Sequence, residues 1–324
     1  MDMSEMVRGY QQACVVMAAA ELELFDRVGG ESFTAKEAAR AVGADLRATA
    51  ALLNALAAIG VIRKAGERYR IPAAIKTALT TQGSGSVLAM VQHQATCLRR
   101  WSHLAEVVKT GRLAPRTTSI RGAKAEYASF IEAMDNIGRS TAPKLVAELQ
   151  PLKFSHLLDV GGASGTYTIA FLRANRQARA TIFDLLQVLP QAKKRLADAG
   201  LSRRVDLVAG DFYVDPLPQG ADLVWLSAIV HQNSRQQNRA LFEKAFAALT
   251  SGGQLLVRDF LMSSSRTTPA AGALFAINML VATPQGGTFT VNELRDDLTA
   301  TGFTKFRVLK QDGTMQSVIS ARKP

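Results

Sequence analysis

Three acidic residues stand in comparable places along the second half of the chain, each just past a short apolar run. The first opens the segment Asp159-Val160-Gly161-Gly162-Ala163-Ser164-Gly165-Thr166, which reads as a strand-to-helix turn. Glycines there permit tight backbone geometry and let a ligand approach the main chain. Such a ligand lies outside the carboxyl ends of the strands, near the topological switch. The dinucleotide pattern G-x-G-x-x-G fails: counting from Gly161, Ala163 and Thr166 occupy the places of the later glycines. An acid opening the turn suits a different ligand, because Asp159 can position the cationic amino-acid end of S-adenosylmethionine. The second acid, Asp184 in Ile182-Phe183-Asp184-Leu185, follows the glycines at roughly the 20-residue spacing from which a carboxylate accepts hydrogen bonds from both ribose hydroxyls. The third lies in Gly210-Asp211-Phe212, where a carboxylate and an aromatic ring can hold adenine. One such acid alone reads as a cap or turn residue. Three in register on successive strand ends favour ligand binding.

The elements that must position these residues change character near Pro151. From His156 onward, short apolar runs at 157–160, 180–183, 205–208, 222–227 and 254–258 alternate with helical stretches at about 165–174, 188–199 and 235–249. That alternation predicts a doubly wound α/β fold, a parallel sheet with helices on both faces. The chain ends differently: 306–310, Asp312-Gly313 and 315–320 read as an antiparallel hairpin. Before Pro151 the pattern is mainly helical. A helix is expected over 10–28. Thr34 then caps a short helix stopped by Gly43, and Asp45 caps a second one through Leu52, Leu53, Leu56 and Ile59, closed by Gly60. Two short strands, 61–62 and 69–71, flank Ala65-Gly66-Glu67. Helix, turn, helix and wing spell a winged helix. Residues 87–110 and 124–150 read as further helices, which gives three parts: a winged-helix domain at 1–95, linking helices at 96–150, and a ligand-binding domain at 151–324.

Composition narrows the partners. Hydrophobic residues make up 48% and charged residues 20%, an ordinary globular balance that argues against wholesale disorder. No apolar run approaches the ~20 residues that span a bilayer, and 13–20 lacks the basic flank and cleavage signal of a secretory peptide. Cys14 and Cys97 form no metal or redox spacing, so no metal is expected, and a reducing cytoplasmic setting is the simplest inference. The net charge of +12 is diffuse, with no block of five like charges, and reads as solubility and attraction for anionic ligands rather than nucleic-acid binding.

These residues resemble the class I S-adenosylmethionine-dependent O-methyltransferases that carry an N-terminal winged-helix dimerisation domain. The segment from Leu157 to Gly165 resembles the family's first motif, with Ala163 replacing its middle glycine. Phe183-Asp184-Leu185 resembles the ribose-binding segment, Gly210-Asp211-Phe212 the adenine segment, and Ser227 falls where relatives often place a cofactor contact. The resemblance implies that Asp159, Gly161, Gly162, Gly165, Asp184, Leu185, Asp211, Phe212 and Ser227 bind the cofactor, and that the chain is a homodimer. It makes His231 a general base and Asp259, after Gly253–Arg258, a catalytic carboxylate. Phe130 and Met134 on one helix, with Asn278 and Met279 on another, are implied to border the acceptor pocket. Two departures stand out. Gln232-Asn233 replaces the usual Asp-Trp after the histidine, and Thr288 stands where relatives place a glutamate after Gly286-Gly287. Glu293 matches a helix position of the family, not the catalytic one.

A methyl on a sulfonium is transferred by in-line displacement. A phenol, with a pKa near 10, is mostly protonated at neutral pH, and a histidine is matched to removing that proton as oxygen attacks. The expected reaction is therefore O-methylation of a hydroxyl on a small aromatic or secondary metabolite. Transfer to nitrogen, sulfur or carbon, or a chemistry without methyl transfer, is the alternative that the two departures keep open. A winged-helix DNA-binding regulator is the remote one: its recognition helix, 46–59, carries Arg47 as its single cation and offers little for reading bases or phosphates.

Overall fold

The computed structural model describes residues 2–324. Residues up to Ser102 with Pro115–Asn136 form one compact unit, and His103–Ala114 with Ile137–Pro324 form a second.

The first unit is built by its caps. Thr34 closes a reciprocal capping box with Glu37 on helix Ala35–Val42, and Gly43 ends that helix in the left-handed region at φ 67°. Asp45 accepts the Ala48 N–H at 2.8 Å to start helix Leu46–Ala58. Strands β1 (Phe33–Thr34), β2 (Arg63–Ala65) and β3 (Arg68–Arg70) form a small antiparallel sheet in the order β1-β3-β2. The first wing strand begins two residues later than expected, because the N–H groups of Val61 and Ile62 both bond back to the Leu56 carbonyl and close the helix instead. The expected helix over 10–28 is two, Tyr10–Glu21 and Leu24–Arg27, divided where Glu23 turns left-handed at φ 55°. Likewise 87–110 is divided into Leu88–Trp101 and Leu104–Thr110. Helix Ala123–Glu148 is continuous, with Pro143 inside it.

The second unit is a seven-stranded sheet. Strands β4 (His156–Val160), β5 (Arg179–Asp184), β6 (Val205–Ala209), β7 (Ala221–Ser227) and β8 (Leu249–Arg258) are parallel, while β11 (Thr304–Lys310) and β12 (Val318–Arg322) are antiparallel additions. The order is β11-β12-β8-β7-β4-β5-β6, so the winding reverses at β4. The carboxyl end of β4 is therefore the expected ligand crevice. Helices Thr166–Ala174, Leu189–Asp198 and Arg235–Ala248 make three of the crossovers. Apolar cores fill both faces: Val160, Val224, Leu226 and Phe242 on one, Leu157, Phe171, Trp225 and Leu256 on the other. A minor parallel pair, β9 (Leu261–Met262) with β10 (Phe289–Thr290), brackets helix Ala270–Ala282. The terminal strands pair as expected, but Asp312-Gly313 does not form a two-residue turn. Lys310 pairs with Val318, leaving residues 311–317 as a loop. The Asp312 carboxylate takes the Thr314 N–H and hydroxyl, and the Ser317 carbonyl accepts the Asp259 N–H, which draws the loop back across the end of β8.

Candidate active site

At the end of β4 the chain turns through Gly161 (φ 65°) and Ala163 (φ 47°), both left-handed. A Cβ on Gly161 would lie 2.6 Å from Ile229 Cδ1, so glycine is required there for space as well as backbone angle. The turn is tied to β5 by Gly161 N–H to the Phe183 carbonyl at 2.8 Å and by Ala163 N–H to Asp184 Oδ2 at 2.8 Å. Asp184 Oδ1 also accepts the Leu185 N–H at 2.7 Å. A carboxylate offers about four acceptor sites, so lone pairs remain for a ligand's hydroxyls. Burial pushes the Asp184 carboxyl above its usual range. Asp159 is 2% exposed beneath the turn and accepts the Thr168 hydroxyl on Oδ2 at 2.6 Å. Burial dominates its environment and pushes its carboxyl up to about 7, with Asp184 adding to the rise and the Thr168 hydrogen bonds and the Arg258 charge opposing it.

Past β6, Asp211 Oδ1 accepts the Tyr213 N–H at 2.9 Å, and Lys244 Nζ donates to the carbonyls of Phe212 and Asp215, each at 2.8 Å. These contacts hold the backbone at Phe212, whose ring Cε1 comes within 3.8 Å of a Cβ position on Gly161. Ser227 ends β7, half-buried, and is the register partner of Arg258. A glycine turn open to the main chain, a buried acid beneath it, a second acid with free lone pairs and an adjacent ring fit the amino-acid, ribose and adenine parts of S-adenosylmethionine.

Beyond β7 lies the candidate base. His231 Nδ1 is 2.8 Å from Asp259 Oδ2 and 3.1 Å from Oδ1, and the two side chains are 12% and 2% exposed. The carboxylate also accepts the Phe260 N–H on Oδ1 at 2.8 Å. An ionised carboxylate only accepts, so Nδ1 carries the proton and Nε2 presents a lone pair. The Phe275 ring stands edge-on to the imidazole at 4.9 Å and 87°, with Phe260 5.2 Å from Phe275. These two aromatics were not legible as site residues, because Phe260 follows a strand and Phe275 lies on an almost wholly apolar helix.

The backbone around His231 is held from two sides. The Gly287 N–H donates to the His231 carbonyl at 2.8 Å, and a Cβ on Gly286 would fall 2.5 Å from that same oxygen. On the other side the Tyr213 hydroxyl donates to Asn233 Oδ1 at 2.6 Å, Asn233 Nδ2 to Asn238 Oδ1 at 3.0 Å, and Asn238 Nδ2 to the Val230 carbonyl at 3.0 Å. Both asparagines are fully buried. Asn233, one of the two departures after the histidine, is thus a structural link between the adenine-side segment and the histidine loop.

Thr288 is buried, and its carbonyl accepts Arg266 Nη1 at 3.1 Å. Glu293 is fully occupied as the capping-box residue of helix Val291–Ala300 and as an ion-pair partner of Arg235 and Arg266. Asn278 is half-buried and Met279 buried on helix Ala270–Ala282, while Phe130 and Met134 are exposed on the part of helix Ala123–Glu148 that belongs to the other unit.

Comparisons with known proteins give the family. A model of the O-methyltransferase domain matches residues 101–304. The chain is 30% identical to 3-hydroxy-5-methyl-1-naphthoate 3-O-methyltransferase of Streptomyces sahachiroi, covering 95% of this chain and 90% of that one. It is 26% identical to human acetylserotonin O-methyltransferase, covering 99% and 97%. The crystal structure of the human enzyme with S-adenosylmethionine superposes with a TM-score of 0.82, at 26% identity over 99% of this chain and 96% of that one. The chain belongs to the O-methyltransferase family and is an S-adenosylmethionine-dependent methyltransferase.

Proposed function

We propose that the chain methylates a phenolic hydroxyl on a small aromatic acceptor, with His231 as general base. The observation that carries this reading is the 2.8 Å contact between His231 Nδ1 and the buried Asp259 carboxylate, just beyond the carboxyl end of β7. S-adenosylmethionine supplies a methyl group on a sulfonium, ready for in-line displacement. Asp184 and the Asp211–Phe212 segment hold its ribose and adenine, and Asp159 holds its ammonium. His231 Nε2 takes the phenol proton as the oxygen attacks, while Asp259 keeps the proton on Nδ1 and stabilises the imidazolium that forms. Phe260 and Phe275 supply an apolar, aromatic wall beside the base, suited to a flat ring. The naphthoate, tetracenomycin and acetylserotonin names of the relatives are consistent with such an acceptor.

The test is methyl-labelled cofactor with a panel of phenols, naphthols and matched arylamines, wild type beside His231→Ala. Labelled methyl ethers that fall about 10²–10⁴-fold in the variant are the expected result, the range of general-base contributions. Undiminished transfer to an amine selects the second reading, N-methylation. That reading is favoured by the missing carboxylate at Thr288 and by the N,N-dimethyltransferase OxyT of Streptomyces rimosus, 28% identical over 92% of this chain and 89% of that one. An amine attacks as its neutral base and needs no proton removed beforehand.

The organisation proposed is a winged-helix dimerisation domain at 1–95, linking helices at 96–150 and a catalytic domain at 151–324. Met3, Met6, Val7 and Tyr10 expose an apolar surface at the amino end, suited to a homodimer contact. Light scattering at micromolar concentration checks it, and a monomer sinks it. No helix among the described residues is long and apolar enough to cross a membrane. A cytoplasmic location fits Cys14 and Cys97 as free thiols.

A further inference from the structure

Arg258 closes β8 on the face of the sheet that carries Leu256, Trp225 and Asp159, three residues in one register row across β8, β7 and β4. It is 6% exposed. Its guanidinium lies 4.8 Å from the centroid of the Tyr167 ring, and Nη1 donates to the Tyr167 hydroxyl and, at 3.5 Å, to Gln316 Oε1. Both partners are neutral. Among the described residues no carboxylate ion-pairs with Arg258, and its Nε–H is buried without an acceptor. The indole N–H of Trp225, two rows below on the neighbouring strand and on the same face, is also buried without an acceptor.

An unpaired buried cation is costly, and the cost is removed when an anion arrives. Asp159 is the complementary case on the same face. It is a buried acid with a hydroxyl partner and no salt bridge, at the start of the glycine turn that leads into Tyr167. The Arg258 charge acts on it from a distance and favours its ionised form, so the two groups face one ligand-sized site without touching. Ser227, the register partner of Arg258, brings no charge of its own. A zwitterionic α-amino acid carries both missing groups, an ammonium for Asp159 and a carboxylate for Arg258.

We propose that Arg258 receives the α-carboxylate of S-adenosylmethionine, while Asp159 receives its ammonium. The proposal rests on the reading that the glycine turn holds this cofactor. It makes Arg258, the last residue of β8, a binding residue for the methionine end, next in the chain to the Asp259 that serves the base. Tyr167, stacked on the guanidinium, holds the fork in place from the first turn of helix Thr166–Ala174.

The experiment is isothermal titration of the full chain with two ligands, S-adenosylhomocysteine and 5′-methylthioadenosine, the second lacking the whole amino-acid end. Wild type, Arg258→Met and Arg258→Lys are compared. The expected result is that Arg258→Met weakens S-adenosylhomocysteine about 10- to 100-fold, the worth of a charge-assisted hydrogen bond. Methylthioadenosine should bind within twofold of wild type, and Arg258→Lys should restore part of the loss. Equal weakening of both ligands, or no weakening of either, overturns the proposal by making Arg258 a packing residue. If Arg258→Met does not fold, Arg258→Lys decides: it must weaken S-adenosylhomocysteine alone, since lysine cannot reproduce the planar fork. Failure of the wild type itself to bind S-adenosylhomocysteine overturns the cofactor reading and the proposal with it, and is distinguished because it needs no variant.

Discussion

Replacing Asp259 by asparagine tests the dyad with almost no change of shape. In the wild type, Oδ2 accepts from His231 Nδ1 at 2.8 Å and Oδ1 accepts from the Phe260 N–H at 2.8 Å. Asparagine has one acceptor oxygen and one NH₂, so it cannot satisfy both donors. If its oxygen stays with Phe260, the NH₂ faces Nδ1 and forces the proton onto Nε2, which removes the basic lone pair. If its oxygen turns to His231, the NH₂ meets the Phe260 N–H, and a buried donor is left unpaired at about 1–3 kcal/mol. In that orientation the bond to the imidazole also loses its charge, a difference of about 1–2 kcal/mol. The second case sets a floor of roughly tenfold on the loss of kcat, at 1.36 kcal/mol per decade. The tautomer reversal of the first sets a ceiling of about 10⁴-fold, the loss that the same exchange causes in serine proteases. The assay is kcat and KM for methyl-ether formation with the best phenol from the panel. Binding of S-adenosylhomocysteine and the thermal midpoint serve as controls for the cofactor site and the fold. The expected outcome is a kcat lowered 10- to 10⁴-fold with KM within about threefold. A kcat within threefold of wild type, in a folded protein that binds the cofactor product, refutes the orienting role of Asp259.

Three further outcomes are expected. Burial holds Asp159 protonated up to about pH 7, well above its value in an unfolded chain. The folded state therefore binds more protons than the unfolded one between about pH 4 and 7, and the ligand-free protein loses stability as pH rises through that window. Relative to Asp159→Asn, the thermal midpoint of the wild type should fall from pH 5 to pH 8, and a constant difference between the two proteins contradicts this. Gly286→Ala puts a Cβ 2.4 Å from Thr283 Oγ1 and 2.5 Å from the His231 carbonyl. It should lower kcat at least tenfold while S-adenosylhomocysteine still binds, so an unchanged kcat would show that the loop absorbs the methyl group. Asp297 is 1% exposed on its side chain and accepts from Arg235 and Arg239 at 2.6–2.9 Å. Asp297→Ala should cost about 2–4 kcal/mol in denaturant unfolding, toward the buried-pair range because the acid is buried while both arginines are partly solvated. A cost below 1 kcal/mol would show solvent carrying the arginines' charge.

What the sequence disclosed was what local chemistry decides. Thr34, Asp45, Gly43 and Gly60 announced the helix ends of the winged helix, because a cap is a contact between near neighbours in sequence. Asp159, Asp184 and Asp211 were legible as candidates because each lies at or just past the end of an apolar strand, and strand alternation fixes the rank of those strands in the sheet. The structure brings Asp184 onto the turn at Ala163 and His231 onto Asp259. What stayed hidden depends on pairs far apart in sequence. The path from Tyr213 through Asn233 and Asn238 to the Val230 carbonyl consists of residues that read singly as loop and cap positions. Phe275 was invisible on a helix whose composition is apolar all round. The Asp312-Gly313 pair pointed to a tight turn, yet the side chain of Asp312 captures Thr314 and opens the loop instead.

The departures from the family pattern acquire physical meaning together. Thr288 supplies no carboxylate, and Glu293 is held by the Thr290 backbone, Arg266 and Arg235, so it is not free to replace one. Asp259 is therefore the single acid oriented on the imidazole among the described residues. With one orienting carboxylate, rotation of the His231 ring must be limited by its backbone and by packing. The loop supplies both: Gly287 and Asn238 pin consecutive carbonyls at His231 and Val230, and Phe275 stands perpendicular to the ring. Asn233 replaces a bulky residue of the family pattern with a buried amide that carries this restraint to Tyr213. In place of a second acid, backbone hydrogen bonds at the His231 and Val230 carbonyls and the edge of Phe275 hold the frame of the imidazole, and none of these adds a negative charge beside it.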